Sequence, residues 1–555
     1  MIHPLRSKTV NYYYLLNSLI IISILLIYFS ALYKTLTDGF GGNFDDAYMF
    51  FRYAQNLVQN HQFAWNPGEN PIYGPTSIPY VYVVAAFIKV IPLRSNFLLP
   101  IISWLIGLFV VILLFVTGLV QTKNSGPIHS VLATGCVAFA VVTPFFTYHA
   151  TTGMDTTLSI LINTLFVLVA TKTAKNHTGG RIFFLGFLAY LSYAIRPDNI
   201  IYAISFPLLI FLVLEPSPLW RESLAFLAIF ILFIAGDTLL KIKMFTDFLP
   251  LSYYVKQNNF YQGYMGAYQW NPSIYLATFT IGVLPSSIVI FANLKSKYIR
   301  LFITYLLPVF ATFLYYFKVL QIMGEYARYY YPAMPFIVVL SLLILGDSDK
   351  SPIKTDFKKS FNRTVLSVLS IVVFVLFLGT IGSNLYLSTV PQNTNTAQNT
   401  SDSSIPTIGW GRAIVAVASL SSQLMPNTVL AASEVGYIGA NAPQVKIIDL
   451  VGLNNPAIAH QGFKAEALFL QKPDLIWMPP PDYASIRHEI ECNPNFYANY
   501  TYYPGLFDYG MAVNKESPYR SDIDSLLSKN LKITYPNSAY VLSNLEQDAP
   551  PLFCQ

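Results

Sequence analysis

Apolar runs long enough, or nearly long enough, to cross a bilayer recur from Tyr12 to about Leu387, separated by short polar connections. After a first run of about twenty residues, the pattern places spans near 97–120, 128–148, 156–171, 182–195, 199–214, 222–237, 273–292, 301–317, 331–345 and 365–387, eleven in all. The stretch 77–92, SIPYVYVVAAFIKVIP, differs: its 16 residues are bounded by prolines and carry Lys89. That is short of the roughly 17 to 25 residues of a spanning helix, so it reads as interfacial or re-entrant. Just upstream, Ala47, Phe50, Phe51, Ala54, Leu57 and Val58 recur at helical spacing and predict an amphipathic helix in the interface. After Ser388 the apolar pattern stops. A polar, low-complexity stretch, STVPQNTNTAQNTSDSSIP, leads into about 150 residues of soluble character. There NTVLAAS, VKIIDLVG, PDLIWMP and AYVLSN read as strands between helical stretches, which predicts an α/β domain.

The expected architecture is therefore mainly α: a polytopic membrane bundle over 1–387, a linker over 388–405, and a soluble α/β domain over 406–555. Composition agrees, with 54% hydrophobic and only 11% charged residues against roughly 25% charged in an average soluble domain. From Ser388 onward there are 9 Lys+Arg against 14 Asp+Glu, so the basic excess of the chain belongs to the membrane part. Those positive charges are scattered among the connections, which argues against a nucleic-acid partner. Arg6 and Lys8 precede the first span and favour a cytoplasmic N-terminus. If 77–92 does not cross, alternate connections collect Lys123; Lys172, Lys175 and Arg181; Arg221; Lys295, Lys297 and Arg300; and Lys350, Lys354, Lys358, Lys359 and Arg363. All then face the cytoplasm, as the positive-inside rule requires.

The first apolar run lacks a small-residue cleavage site and reads as a signal anchor. No CxxC, HExxH, Walker or GxGxxG pattern is present, so zinc chemistry, P-loop hydrolysis and a Rossmann cofactor site find no support. Cys136 falls within a span, while Cys492 and Cys554 lie in the tail, where an oxidising outer compartment permits a disulfide.

The outer face then carries an unusual set of ionisable residues. Asp45 and Asp46 open the amphipathic helix, which also carries Arg52. Asp155 stands in TGMD, Arg196 and Asp198 in RPD, and Lys241, Lys243 and Lys256 around KIKMFTDFLPLSYYVK. Glu325 and Arg328 stand in GEYARYY. Asp is a favoured helix cap, which is the plain alternative for Asp45 and for Asp155 before TTLSIL. Arginines at span ends also serve as interface anchors. One cap needs one acid, however, and a second carboxylate beside it adds repulsion unless a cation, a proton or a base role offsets it. A carboxylate base amid cations able to hold a phosphate suits transfer from an anionic lipid. His61 and His149 share this face without partners that suggest a metal set.

FDDAYMFFRYAQNLVQNHQFAWNPGENPIYGPTS resembles the first outer loop of bacterial glycosyltransferases of the GT-C fold, in particular the arabinofuranosyltransferase-like branch. The likeness continues in order through TGMDTTL, RPD, DFLPLSYYVK and RYYYPAMP, and in the tail through AASEVGYIGANAPQVKIIDLVGLNNPAIA. It implies an inverting glycosyltransferase that takes a sugar, arabinofuranose first among them, from a polyprenyl monophosphate to a surface glycan or protein. The setting would be a bacterial inner membrane, with active site and tail outside. The resemblance makes one of the two aspartates a base or a holder of a divalent metal. Asp45 is taken as the base and Asp46 as its neighbour, with Arg52, Asp155, Arg196, Lys241, Lys243, Lys256, Glu325 and Arg328 toward donor and substrate. Two departures bear on the sugar: GENPIYGPTSIP lacks the usual acid before the GYTSP-like element, and Leu251 stands where Asn is common. A polymerase or O-antigen ligase using diphosphate-linked glycans, and a lipid or sugar transporter, are the rival classes.

Overall fold

The structure, a computed structural model, describes residues 4–37, 44–245, 247–257, 272–319, 321, 324–347, 407–536, 541–547 and 554. The expected span 365–387, the basic cluster 350–363 and the linker 388–405 lie outside them. Two compact units result. One comprises Met1–Gly42, Pro100–Gly236 and Trp270–Pro391, and the other Asn43–Leu99, Asp237–Gln269 and Gln392–Gln555. The division thus differs from the single break expected near 388: the first polar loop and the 237–269 segment group with the tail.

This is a multi-pass membrane protein. Among the described residues, seven helices are long and apolar enough to cross a bilayer: Leu15–Thr37, Ser95–Thr122, Thr156–Lys175, Pro197–Leu214, Trp220–Phe245, Ser296–Tyr316 and Glu325–Asp347. A further apolar pair, Pro272–Gly282 and Leu284–Ala292, is bent by 78° and forms either a broken span or a re-entrant loop. Pro285 follows the break, and its ring cannot continue the preceding hydrogen-bond ladder. The expected spans 128–148 and 182–195 are shorter helices, Pro127–Val142 and Gly179–Ile195. Lipid-side exposure reverses the usual rule for soluble folds: Leu232 and Leu239 of the 220–245 helix are 70% and 69% exposed.

Within the first unit, four helices share an alternating sense. Thr156–Lys175 and Met334–Asp347 run toward one end of the bundle, and Gly179–Ile195 and Ile299–Tyr316 run back. At the first end Lys297 pairs with Asp347 at 3.2 Å, Arg300 donates to the Glu215 carbonyl, and Ser125 donates to the Gly346 carbonyl. The basic connections therefore gather there. Between the ends, Phe206 meets Tyr305 and Phe336 edge-on, and an amide–hydroxyl network ties helices without using charge. In that network Ser192 donates to Asn163, Asn163 to the Pro332 carbonyl, and Asn199 to Ser159.

In the second unit the amphipathic segment is the helix Asp45–Asn60, packed on Ile78–Val90 through Phe50 and Tyr80. The latter has 13 residues, about 20 Å at 1.5 Å each, against a hydrocarbon core of about 30 Å. The tail carries a five-stranded sheet: β1 Val429–Ala432, β2 Lys446–Asp449, β3 Leu475–Trp477, β4 Tyr500–Tyr503 and β5 Met511–Asn514, in the order β2-β1-β3-β5-β4. Strands β2, β1 and β3 are parallel, and β5 and β4 add an antiparallel hairpin. Of the strand expected over 539–544, residues 539 and 540 lie outside the described residues and Leu542–Asn544 is a 3-10 turn. The hairpin strands YTYY and MAVN take that place, with aromatic residues suited to a pleated, buried surface. Cys492 and Cys554 are disulfide-bonded, with Cα atoms 5.1 Å apart.

Candidate functional site

The sequence-predicted residues fall into two groups, one in each unit. In the first unit, at the bundle end opposite the basic connections, Asp155, Arg196 and Arg328 converge with Asp198. Arg328 reaches Asp155 at 3.3 Å and Thr156 Oγ1 at 3.3 Å. Asp155 is thus not the side-chain cap of its own helix; its carboxylate faces the guanidinium. Arg196 pairs with Asp198 at 3.2 Å, and Asp198 also accepts from the Tyr316 hydroxyl at 2.6 Å. Tyr329 links the two cations: its ring lies 4.8 Å from the Arg196 guanidinium and 6.0 Å from that of Arg328.

Both arginines are at least nine-tenths buried, at 5% and 7% exposure. Arg196 Nη1 and His149 Nδ1 have no hydrogen-bond partner among the described residues. Buried donors are normally paired, so a pair of buried guanidiniums with an open donor has the chemistry of an anion seat. The chain strains itself to build it. Tyr326 and Ala327 both adopt left-handed backbone, at φ 51° and 61°, immediately before Arg328. Glu325 opens that turn. Tyr316 and Tyr329 went unselected in the sequence, because aromatic residues are abundant throughout it and carry no spacing signal.

In the second unit, Asp45 is buried and its two oxygens accept the backbone N–H groups of Gly436 and Tyr437, each at 2.7 Å. These are the free amides at the start of the short helix Gly436–Asn441. Two turns along the same face, Arg52 donates to the Gly439 and Ala442 carbonyls at the other end of that helix, at 2.7 and 3.2 Å. It donates further to the carbonyls of Trp65 and Val445 and to Asn66. One helix thus grips both ends of another, acid on amides and base on carbonyls, in the sense that the helix dipole favours. Gly436 and Gly439 permit the approach: a Cβ on the first would run into the Asp45 carbonyl oxygen, and one on the second would lie 2.8 Å from Arg52 Cδ. Burial pushes the Asp45 carboxyl up to about 7, against the pull of the two amides, and Asp46 and Asp449 add to the rise.

This geometry corrects the expectation for Arg52, whose donors are committed to carbonyls and an amide of the fold rather than to a donor phosphate. Lys241 is likewise engaged, 2.6 Å from Asp237 and over the Tyr73 ring, whereas Lys243 and Lys256 are exposed. Of these cations, the three lysines belong to the second unit and Arg328 to the first. The aspartate pair does not fit a metal. Both Asp45 oxygens hold amides, and among the described residues no three His, Cys, Asp or Glu side chains are arranged around an ion.

Two tail acids join this group. Asp449 closes the loop after β2 by accepting from the amides of Val451, Gly452 and Asn454, and Asn454 accepts from the Tyr53 hydroxyl of the 45–60 helix. Glu434, half-buried just after β1, bonds Trp410. Burial pushes its carboxyl well above the carboxylate range, and the charges of Asp45 and Asp46 push it further. Nothing in the local sequence marks Glu434, because its neighbours come from a segment almost 400 residues away.

The family described as a domain of unknown function (DUF8728) matches residues 407–520. No curated protein matches the chain. Among solved structures, ArnT from Cupriavidus metallidurans bound to undecaprenyl phosphate is similar at TM-score 0.55 and 11% identity, covering 90% of this chain and 98% of that one. The apo ArnT structure is similar at TM-score 0.52 and 11% identity, over 90% and 97% of the two chains. The archaeal oligosaccharyltransferase AglB from Archaeoglobus fulgidus gives TM-score 0.46 at 11% identity, over 90% and 75%. The chain thus has the GT-C fold of the ArnT structures.

Proposed function

We propose that the chain is an integral-membrane glycosyltransferase that moves one sugar from a polyprenyl monophosphate to a hydroxyl of a surface glycan or protein on the outer face, with inversion. Fold alone does not establish this. The observation that carries the reading is the buried Arg196–Arg328 pair with its open donor, set at the end of the bundle away from the basic connections. Recovery of the ArnT structure with undecaprenyl phosphate adds support. Arabinofuranose, from the first-loop resemblance, is the leading sugar.

The chemistry asks for two provisions. The leaving phosphate needs fixed positive charge, which Arg196 and Arg328 supply, with Tyr329 and the carboxylates of Asp155 and Asp198 orienting them. The attacking hydroxyl needs an acceptor for its proton. The aspartate pair is the proposed acceptor, Asp45 as base with Asp46 beside it. As the hydroxyl oxygen bonds to the anomeric carbon, its proton moves to that carboxylate and the carbon–oxygen bond to phosphate breaks, the electron pair leaving with the phosphate. The basic end of the bundle faces the cytoplasm in this reading, and the tail lies outside.

The test is transfer by purified, detergent-reconstituted protein from a panel of polyprenyl monophosphate sugars, arabinofuranose included. We expect transfer from one donor, lowered about 10²- to 10⁴-fold in the double variant Asp45→Asn, Asp46→Asn. Arg328→Ala should weaken donor binding more than acceptor binding. Silence with every monophosphate, joined to binding of a diphosphate-linked oligosaccharide, would favour the polymerase or ligase class instead.

A further inference from the structure

The turn from Tyr326 to Tyr331 gathers the polar groups of the first unit around itself. At its start the Tyr326 carbonyl lies 3.1 Å from His149 Nε2. Further along, Arg328 reaches Asp155 and Thr156, and the Tyr329 ring lies 4.8 Å from the Arg196 guanidinium. At its end the Tyr331 ring meets the His149 ring edge-on, with centroids 5.0 Å apart. His149 is therefore touched by both ends of the turn that carries Arg328. Its own position is fixed: it closes the helix Pro144–His149, which Thr143 caps by accepting from the Phe146 N–H, and the Thr152 hydroxyl donates to its carbonyl.

The contact with Tyr326 decides the tautomer. A carbonyl oxygen only accepts, so Nε2 carries the proton and donates it. A second proton, on Nδ1, would add a third cation to a buried cluster that already holds Arg196 and Arg328. Burial pushes the imidazole down to about 3 against the pull of the Tyr326 carbonyl, and the charges of Arg328 and Arg196 add to the fall. Nδ1 is thus a bare acceptor, buried and without a partner among the described residues. Arg196 Nη1, also without a partner among them, is by contrast a donor. Steadying the Tyr326 turn uses Nε2 alone, which leaves Nδ1 for another group.

We propose that His149 is a specificity-determining residue of the donor site: its Nδ1 accepts a hydrogen bond from a hydroxyl of the donor sugar while Arg196 and Arg328 hold the phosphate. The proposal rests on the glycosyltransferase reading and deepens it. Oxygens of an anionic phosphate only accept, so they satisfy the guanidiniums but bring no hydrogen to Nδ1. A sugar hydroxyl beside the phosphate brings one. The spent carrier, a polyprenyl phosphate without its sugar, leaves Nδ1 unpaired and forfeits that bond. The site thereby prefers the loaded lipid to the spent one, which favours release of the product.

The experiment titrates full-length protein in detergent with sugar-free polyprenyl monophosphate and with the same lipid bearing each sugar of the panel. It is run at pH 8, where the lipid phosphate carries no proton. Wild type should bind one loaded lipid about tenfold or more tighter than the sugar-free lipid. His149→Phe should bring the two affinities together. His149→Gln, whose amide sets a donor and an acceptor across one carbon as the imidazole does, should restore most of the difference. A side chain that only steadied the Tyr326 turn would change both affinities alike and leave their ratio unmoved. The wild-type ratio in a folded His149→Phe protein would overturn the proposal, and if wild type transfers sugar the glycosyltransferase reading still stands. Should His149→Phe fail to fold, loaded lipids each lacking one sugar hydroxyl decide the matter with wild type: one omission should cost about tenfold, and no loss with any of them would overturn the proposal. If the sugar-free lipid gains affinity at pH 5.5 and His149→Phe abolishes that gain, Nδ1 takes the proton of a hydrogenphosphate and the sugar assignment is overturned. A ratio lost in His149→Phe, with no transfer by wild type from any donor, would keep the hydroxyl site and remove the parent reading. Absence of all lipid-phosphate binding by wild type would overturn both.

Discussion

Asp45 is a carboxylate whose ionisation opposes the fold that uses it. In the unfolded chain its ordinary value is 3.8, whereas burial raises it to about 7 in the folded protein. Between those values the native state holds a proton that the unfolded chain has released, so stability falls as pH rises from about 4 to 7, and the loss is complete above 7. Thermal unfolding of the detergent-solubilised protein should therefore occur at lower temperature at pH 8 than at pH 5.5. Asp45→Asn removes this titration and one of the two amide bonds. It should be less stable than wild type at pH 5.5 and show a shallower decline toward pH 8; a slope equal to wild type would assign the pH dependence to other groups. The acid pair was legible in the sequence because two adjacent aspartates at an interface are electrostatically awkward. The grip on Asp45 was not, since the amides that engage it belong to Gly436 and Tyr437.

Among the elements, the 45–60 helix shows how a good pattern can hide a second use. Its apolar spacing predicted an amphipathic helix, and the helix is there. The buried face also presents Arg52 and Asn56, and Asn56 donates to the carbonyls of Ala64 and Trp65. Arg52→Ala would strip five donated bonds and leave buried carbonyls unpaired, a loss of about 3 kcal/mol or more where single bonds to a charged group contribute 1.5–3. Limited proteolysis should then cut the tail much faster than in wild type. Arg328→Ala, in the other unit, should leave that digestion pattern unchanged. The tail strands were readable where β-branched runs were bounded by turns, as in β1 to β3. The hairpin β4–β5 was missed because YTYY has no aliphatic residue and MAVN a single β-branched one, so neither reads as an aliphatic run.

Across the whole molecule, the alternation of basic and site-bearing connections is a property of the bundle itself. Lys297 and Asp347 meet at one end, and Arg196, Asp198 and Tyr316 meet at the other, although each group is assembled from distant segments. The proposed orientation predicts that Lys123→Cys, at an exposed site on the basic side, is shielded from a membrane-impermeant maleimide in intact cells. Lys464→Cys, exposed on the tail, should label readily. Labelling of both, or the reverse pattern, would invert the topology.

The chain by itself determined that this protein crosses the membrane many times, that a soluble α/β domain follows, and that ionisable residues concentrate in particular connections. Those properties are local: a span needs only enough consecutive apolar residues, and a charge in a connection is visible where it stands. Tertiary structure alone decided which charges meet. It paired Arg328 with Asp155 across 173 positions, engaged Arg52 with carbonyls almost 400 residues away, and seated Asp45 on the amides of Gly436 and Tyr437. The physical reason is that a buried charge is defined by its partners, and partners distant in sequence leave no mark in the spacing around it.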